Sequence, residues 1–139
     1  MTTNLADIRE AFGFFDSWED KYRFVIDLGR DLETMPEADR TEANLVRGCQ
    51  SQVWITSSVD NASGNLHFVL DSDAHIVRGL IAIVLAAYEG RTPEQIVEFD
   101  IDGLFEELAL LQHLSPTRGN GLRAMVARIR ETAAQQTRS

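Results

Sequence analysis

The sequence predicts an α+β fold, a small curved antiparallel sheet with helices packed on one side. Three observations lead there. Two segments with helical apolar spacing come first, two short β-rich runs flank a turn cluster in the middle, and every later segment is helical. Helices and strands segregated in this way indicate helices laid on one face of a small sheet. A chain of 139 residues fits one domain, 1–139, and is long enough to bury a substantial core.

Each element follows from local pattern. Leu5, Ile8, Phe12 and Phe15 recur at helical spacing. Ser17 then offers an N-cap with Asp20 three residues on, a weak capping box. The inner stripe of the next helix is read as Trp18, Tyr22, Val25, Gly29 and Leu32, ending at Met35-Pro36, with a polar loop over 36–44. Residues 52–58 are rich in β-branched and aromatic side chains and alternate weakly, and 66–70 reads as a second strand. The turn cluster Asn61-Ala62-Ser63-Gly64-Asn65 joins them into a hairpin. Asp71-Ser72-Asp73 is read as a helix cap, with Asp73 the capping group, before the apolar run 76–88 closed by Gly90. Thr92-Pro93-Glu94-Gln95 combines a capping box with an N1 proline. Leu104, Leu108 and Leu111 mark another helix. Ser115-Pro116 opens the last, with an inner stripe of Leu122, Met125, Val126, Ile129 and Ala133.

Composition narrows the function. Hydrophobic content of 44% with 25% charged residues is that of an ordinary globular domain. A net charge of −9 repels phosphate backbones and argues against nucleic-acid binding. The apolar run 76–88 contains Arg78 and is too short to cross a bilayer. No basic start followed by an apolar run suggests a signal peptide, so a cytoplasmic protein without a membrane partner is expected. From Ser115 onward five arginines face one acid, Glu131; this is either a solvated helix face or a patch that meets an acidic partner. Lys21 is the only lysine and sits among acids, a poor Schiff-base candidate.

Several chemistries lack their motifs. There is no dinucleotide or phosphate loop, no His-Glu-x-x-His and no nucleophile elbow. His67, His75 and His113 are scattered, and no close ligand pair would anchor zinc. Neither a metal nor a cofactor is expected on this chain.

Attention falls on the one cysteine, Cys49. A lone thiol forms no internal disulfide and suits a reducing compartment. A free cysteine is commonly a small buried hydrophobe, but these flanks differ. Arg47 precedes, Gly48 gives a bend and Gln50-Ser51-Gln52 follow, so Cys49 is expected at the tip of a loop entering a strand. A nearby arginine or loop amides would raise its thiolate fraction, and Gly48 permits close approach of a partner backbone.

The run Arg47-Gly48-Cys49-Gln50-Ser51-Gln52-Val53-Trp54 resembles the signature of the SufE family, sulfur acceptors for cysteine desulfurases in iron–sulfur cluster assembly. The likeness continues in Trp18-Glu19-Asp20-Lys21-Tyr22, in Asp71-Ser72-Asp73-Ala74 followed by Ile76-Val77-Arg78-Gly79-Leu80, and in Leu111-Gln112-His113-Leu114-Ser115-Pro116-Thr117-Arg118. These matches keep their order and span nearly the whole chain.

The resemblance implies a fold similar to that of the cluster scaffold IscU. It implies that Cys49 takes persulfide sulfur from a desulfurase of the SufS type, which itself uses pyridoxal phosphate. The sulfur would pass to a scaffold complex of the SufBCD type, with this chain stimulating the desulfurase as an accessory rather than a stand-alone enzyme. Arg47, Gly48, Gln52 and Arg118 become candidates for loop support or partner binding. Gln52 would hold the loop backbone, Arg118 would orient the loop, contact the desulfurase or stand as an ordinary surface residue, and Trp54 and His113 would pack around the loop. Monomer and homodimer are both open. Two other readings remain, a desulfurase-binding regulator that carries no sulfur and a thiol redox sensor.

Overall fold

The computed structural model describes residues 4–48 and 52–137; Cys49, Gln50 and Ser51 therefore lie outside the described residues. Helix α1 spans Leu5–Phe14 and starts at Asn4, whose side-chain oxygen accepts from the Asp7 N–H at 2.8 Å. It buries Ile8 and Phe12. Helix α2, Trp18–Arg30, is capped by Ser17, which accepts from the Asp20 N–H.

The inner face of α2 differs from the expected stripe. Val25, Leu28 and Gly29 are buried, whereas Tyr22 is 38% exposed. The helix also stops at Arg30, before Met35-Pro36. Asp31 and Leu32 close it with bonds three residues back, to Leu28 and Gly29. The chain then buries Met35, only 1% exposed, beside Asp71, to whose carboxylate its N–H donates at 3.3 Å. The stretch over 36–44 holds two short 3-10 turns, Glu37–Asp39 and Glu42–Asn44.

Strands β1, Val53–Val59, and β2, Leu66–Ser72, form an antiparallel hairpin with Val53 opposite Ser72 and Val59 opposite Leu66. The Asp60 N–H donates to the Asn65 carbonyl, and Gly64 takes φ +77° in the turn. Side chains alternate between faces: Ile55, Phe68 and Leu70 are buried, while Ser58 and His67 are exposed. β2 runs further than its apolar pattern suggests, absorbing Asp71 and Ser72.

Helix α3, His75–Tyr88, is buried along most of its length and packs on α2 and β2. Its N-cap position is Ala74, not Asp73, and carries no side-chain cap. Ser72 Oγ accepts from the Ala74 N–H at 3.2 Å, while Asp73 is left exposed. Once Asp71 and Ser72 are strand residues, Asp73 stands too early to cap the helix.

Helix α4, Pro93–Glu98, has the full reciprocal capping box between Thr92 and Gln95. The helix expected through Leu104, Leu108 and Leu111 is broken into α5, Ile101–Glu107, and α6, Leu110–His113. Ala109 makes the break at φ 55°, a left-handed conformation for a non-glycine residue. Leu108 and Leu110 are both buried. In a continuous helix, positions two apart point about 200° away from each other, and the break lets both turn inward. Helix α7, Pro116–Thr137, buries Leu122, Met125, Val126, Ile129 and Ala133 as the spacing predicts. Among the described residues no helix is long and apolar enough to cross a membrane.

The crossing of α2 and α3 leaves no room for side chains at its centre. A Cβ on Gly29 would stand 2.7 Å from the Gly79 backbone nitrogen, and one on Gly79 would collide with the Val25 carbonyl oxygen. These contacts are to backbone, which cannot swing aside. Gly79→Ala is expected to lower unfolding free energy by about 3 kcal/mol, the upper part of the range for overpacking, measured by urea denaturation. Gly13→Ala is the control, since a Cβ there meets nothing within 4 Å.

Candidate functional site

The segment that carries the cysteine leaves and re-enters the fold through a narrow neck. Leu45 forms an isolated antiparallel bridge with Trp54, and the Val46 N–H donates to the Val53 carbonyl at 2.8 Å. Val46 and Val53 are both buried, so the neck is fixed by packing as well as by hydrogen bonds. β1 thus has β2 on one edge and this short bridge on the other. Residues 47–52 lie between the two sides of the neck.

Arg47 and Gly48 are exposed, as is Gln52 on the returning side. Gly48 has φ +95°, a conformation that disfavours every residue with a Cβ. A Cβ there would also meet the Ala124 Cβ of α7 at 3.3 Å. Gly48 therefore makes the bend expected of it, with its own backbone lying close to α7. The Gln52 side chain makes no hydrogen bond with a described residue; the loop backbone it was expected to hold lies at 49–51, outside them.

Arg118 sits in the first turn of α7 and is half-buried. Its N–H donates to Ser115 Oγ at 3.2 Å, which caps the helix. Its guanidinium has no ion-pair partner among the described residues. His113 stacks on Trp18, ring centres 4.5 Å apart and planes 12° from parallel. The described contacts of His113 thus tie α6 to the start of α2 rather than to the 47–52 segment.

Beneath the neck lies a charge cluster that sequence reasoning missed. Asp71 has no solvent exposure. Its Oδ2 accepts from Arg40 at 2.7 Å and from the Met35 N–H at 3.3 Å. Its Oδ1 faces Arg78 at 3.1 Å and accepts from the Ser72 N–H at 2.8 Å. Arg78 also donates to the Gly29 carbonyl at the end of α2. Arg40 lies over the Trp54 ring, 5.4 Å from its centre, within cation–π range. Trp54 is opposite Asp71 in the hairpin and opposite Leu45 in the neck. One carboxylate thus joins the 36–44 stretch, β2, α3 and, through Arg40, the neck. The only local signal was an aspartate closing an apolar strand run; its arginine partners stand 31 and 7 positions away.

Among the described residues, which exclude Cys49, no group of three histidine, cysteine or acidic side chains is placed to hold a metal ion. Breaking a buried ion pair from one side strands the partner charge. Asp71→Ala is expected to cost about 3 kcal/mol, the lower part of the range for buried pairs, because Arg40 and Arg78 retain 33% and 22% side-chain exposure. Asp71→Asn, which keeps the side-chain shape and one acceptor oxygen for either the Met35 or the Ser72 N–H, should cost less. Chemical denaturation of both variants checks the order.

Comparison with known proteins places this arrangement. The family model described as "SufE: Fe-S metabolism associated domain" matches residues 6–133. An uncharacterised SufE-like protein of Rhizobium meliloti (strain 1021) is 48% identical over 136 residues, covering 94% of this chain and 95% of that protein. A SufE-like protein of Rhizobium etli, also uncharacterised, is 48% identical over 132 residues, covering 94% and 89%. The solution structure of a hypothetical protein from Thermus thermophilus superposes with a TM-score of 0.76 at 20% identity, covering 97% of this chain and 96% of that one. That last likeness is one of fold. With a family model over most of its length and near-full-length relatives at 48% identity, the chain belongs to the SufE family, whose domain is associated with iron–sulfur metabolism.

Proposed function

We propose that this protein is a sulfur acceptor and carrier whose Cys49 takes sulfane sulfur from a cysteine desulfurase and hands it to an iron–sulfur assembly scaffold. The observation that carries the reading is how the described residues on either side of Cys49 are held. Cys49 lies one residue beyond a glycine at φ +95°, in a segment whose ends are clamped by an antiparallel bridge. An inert core cysteine needs no such setting. Membership of a family whose domain is associated with iron–sulfur metabolism supports the choice of sulfur as the group carried.

The chemistry is exchange at sulfur. The Cys49 thiolate attacks the terminal sulfur of a persulfide on the desulfurase. A bond forms between Cys49 Sγ and that sulfur, the donor's S–S bond breaks, and its electron pair leaves with the donor cysteine as a thiolate. Oxidation state is conserved over the pair, and no external oxidant enters. A second exchange with a scaffold thiol returns Cys49 to its starting form. Both steps favour a thiolate on the attacking sulfur and a good thiolate leaving group. A single thiol suits this task, because the chain holds no second cysteine to capture the persulfide as an internal disulfide.

Arg118 is the cationic side chain assigned to the transfer. It stands in the first turn of a helix, where the dipole already favours negative charge, so it does nothing for that helix end. Its guanidinium, free of ion pairs to described residues, serves either the sulfur anion on Cys49 or acids on the desulfurase.

Incubation with a desulfurase, pyridoxal phosphate and cysteine, followed by mass spectrometry, tests the reading. Addition of one or more sulfur atoms to Cys49 supports the carrier. A desulfurase that is stimulated while Cys49 stays unmodified points to a regulator, and added oxygen points to a redox sensor. Cys49→Ser should fold and accept no sulfur; transfer to the folded variant sinks the assignment. Arg118→Ala should slow transfer roughly tenfold, the effect of one charge-assisted hydrogen bond, with little change in thermal stability. Affinity measurements on that variant then separate docking from thiolate support.

A further inference from the structure

A groove of about 450 Å³ lies between the α5–α6 pair and α7. Asp102, Phe105 and Glu106 stand at i, i+3 and i+4 on α5 and so share the face that forms one wall. Ala109, at the left-handed break, continues that wall together with Leu111 and Gln112 of α6. Arg123 of α7 forms the other wall. Packing of α7 on α6 sets its place. A Cβ on the buried Gly119 would touch Leu111 Cδ2 at 3.6 Å, and Arg123 follows one turn later on the same side of the helix.

The groove carries both signs of charge, and they do not neutralise each other. Neither Asp102 nor Glu106 pairs with Arg123, and none of the three makes an ion pair with another described residue. Glu107, the next residue along α5, shows the contrast by pairing with Arg9 at 2.8 Å. The floor between the charges is apolar. Phe105 is buried there, and Ala109 and Leu111 are half-buried. The exposed Gln112 amide offers both a donor and an acceptor.

Singly charged ligands meet a repulsion in this groove. A metal cation or a bare amine faces Arg123, whereas phosphate or a simple carboxylate faces two acids. A ligand with both charges finds a partner for each. The volume lies toward the lower end of the roughly 300–1,000 Å³ of small-molecule pockets, which suits one small ligand. Its two charges must also stand close together, since their partners share one groove.

We propose that this groove binds a free α-amino acid with an uncharged side chain, its ammonium toward Asp102 and Glu106 and its carboxylate toward Arg123. The side chain lies on the floor made by Phe105, Ala109 and Leu111. This site goes beyond the carrier reading and stands or falls without it.

Titration of the whole chain, followed by nitrogen–proton correlation spectra, tests the site. The probes are leucine, its decarboxylated analogue isoamylamine and its deaminated analogue isocaproate, which keep one side chain and differ in charge. Leucine should shift amides over 102–112 and at Arg123, with a dissociation constant in the millimolar range. Each singly charged analogue should bind about fivefold more weakly, the factor for one exposed ion pair at the top of its usual range. Arg123→Gln should weaken leucine by a similar factor yet bind isoamylamine no worse than wild type does. Glu106→Gln should do the reverse, weakening leucine while isocaproate binds no worse. Both residues are exposed, so neither change threatens the core, and unshifted amides elsewhere confirm the fold. Three results overturn the proposal. They are no shift of these amides with leucine well above millimolar concentration, either analogue bound as tightly as leucine, or both variants binding leucine as wild type does.

Discussion

A carboxylate with no solvent exposure must be compensated on every side, and Asp71 meets that demand with two arginines and two backbone N–H groups. The demand organises the structure because the partners come from separate elements. Met35 and Arg40 belong to the stretch that follows α2, Ser72 closes β2, and Arg78 lies one turn into α3. An ion pair of this kind gives little net stability over a well-packed apolar group of the same volume. What it does give is a penalty for any arrangement in which the partners are apart. Helix α2 ending early, the 36–44 stretch bringing Arg40 to Asp71 and β2 continuing to Ser72 are all consistent with this one requirement.

The crossing of α2 and α3 imposes a second constraint on the same elements. Gly29 and Gly79 let the two backbones approach until neither could carry a Cβ. The approach sets where Arg78, one residue before Gly79, emerges from α3. From there its guanidinium reaches both Asp71 and the Gly29 carbonyl. Close packing and charge pairing are therefore not separate devices. A side chain at the crossing would move the helices apart and pull Arg78 from its carboxylate.

Much of this fold can be read along the chain, because its elements carry strong local signals. Ser17, Thr92 with Gln95 and Ser115 cap helices as their spacing suggests, and the α7 stripe is buried at every expected position. Local patterns fail where a long-range partner decides. Asp71-Ser72-Asp73 looks like a cap because aspartate and serine are good capping residues, yet Arg40 and Arg78 draw Asp71 into the strand. The leucines at 104, 108 and 111 fit one helix, but burial of Leu108 and Leu110 together forces the break at Ala109. At the site, Gly48 announces its bend because positive φ selects glycine. Nothing local announces Arg40, whose role exists only after the hairpin places Trp54 opposite Asp71.

The arrangement places order and exposure in different parts of the same region. Val46, Val53, Trp54 and Asp71 are buried, whereas Arg47, Gly48 and Gln52 are open to solvent. Under the proposed role this division has a physical reason. Exchange at sulfur needs three sulfur atoms brought nearly into line between two proteins, so the segment must enter a partner's site and then leave it. An intrinsically loose segment would lose ordering entropy at each encounter, and a rigid buried one would never reach the donor. A clamped base flanked by exposed residues at 47, 48 and 52 lowers the first cost and keeps the access. Arg40 lies at the boundary between these two regimes. It has one face on a buried carboxylate and an indole, and a third of its surface in water.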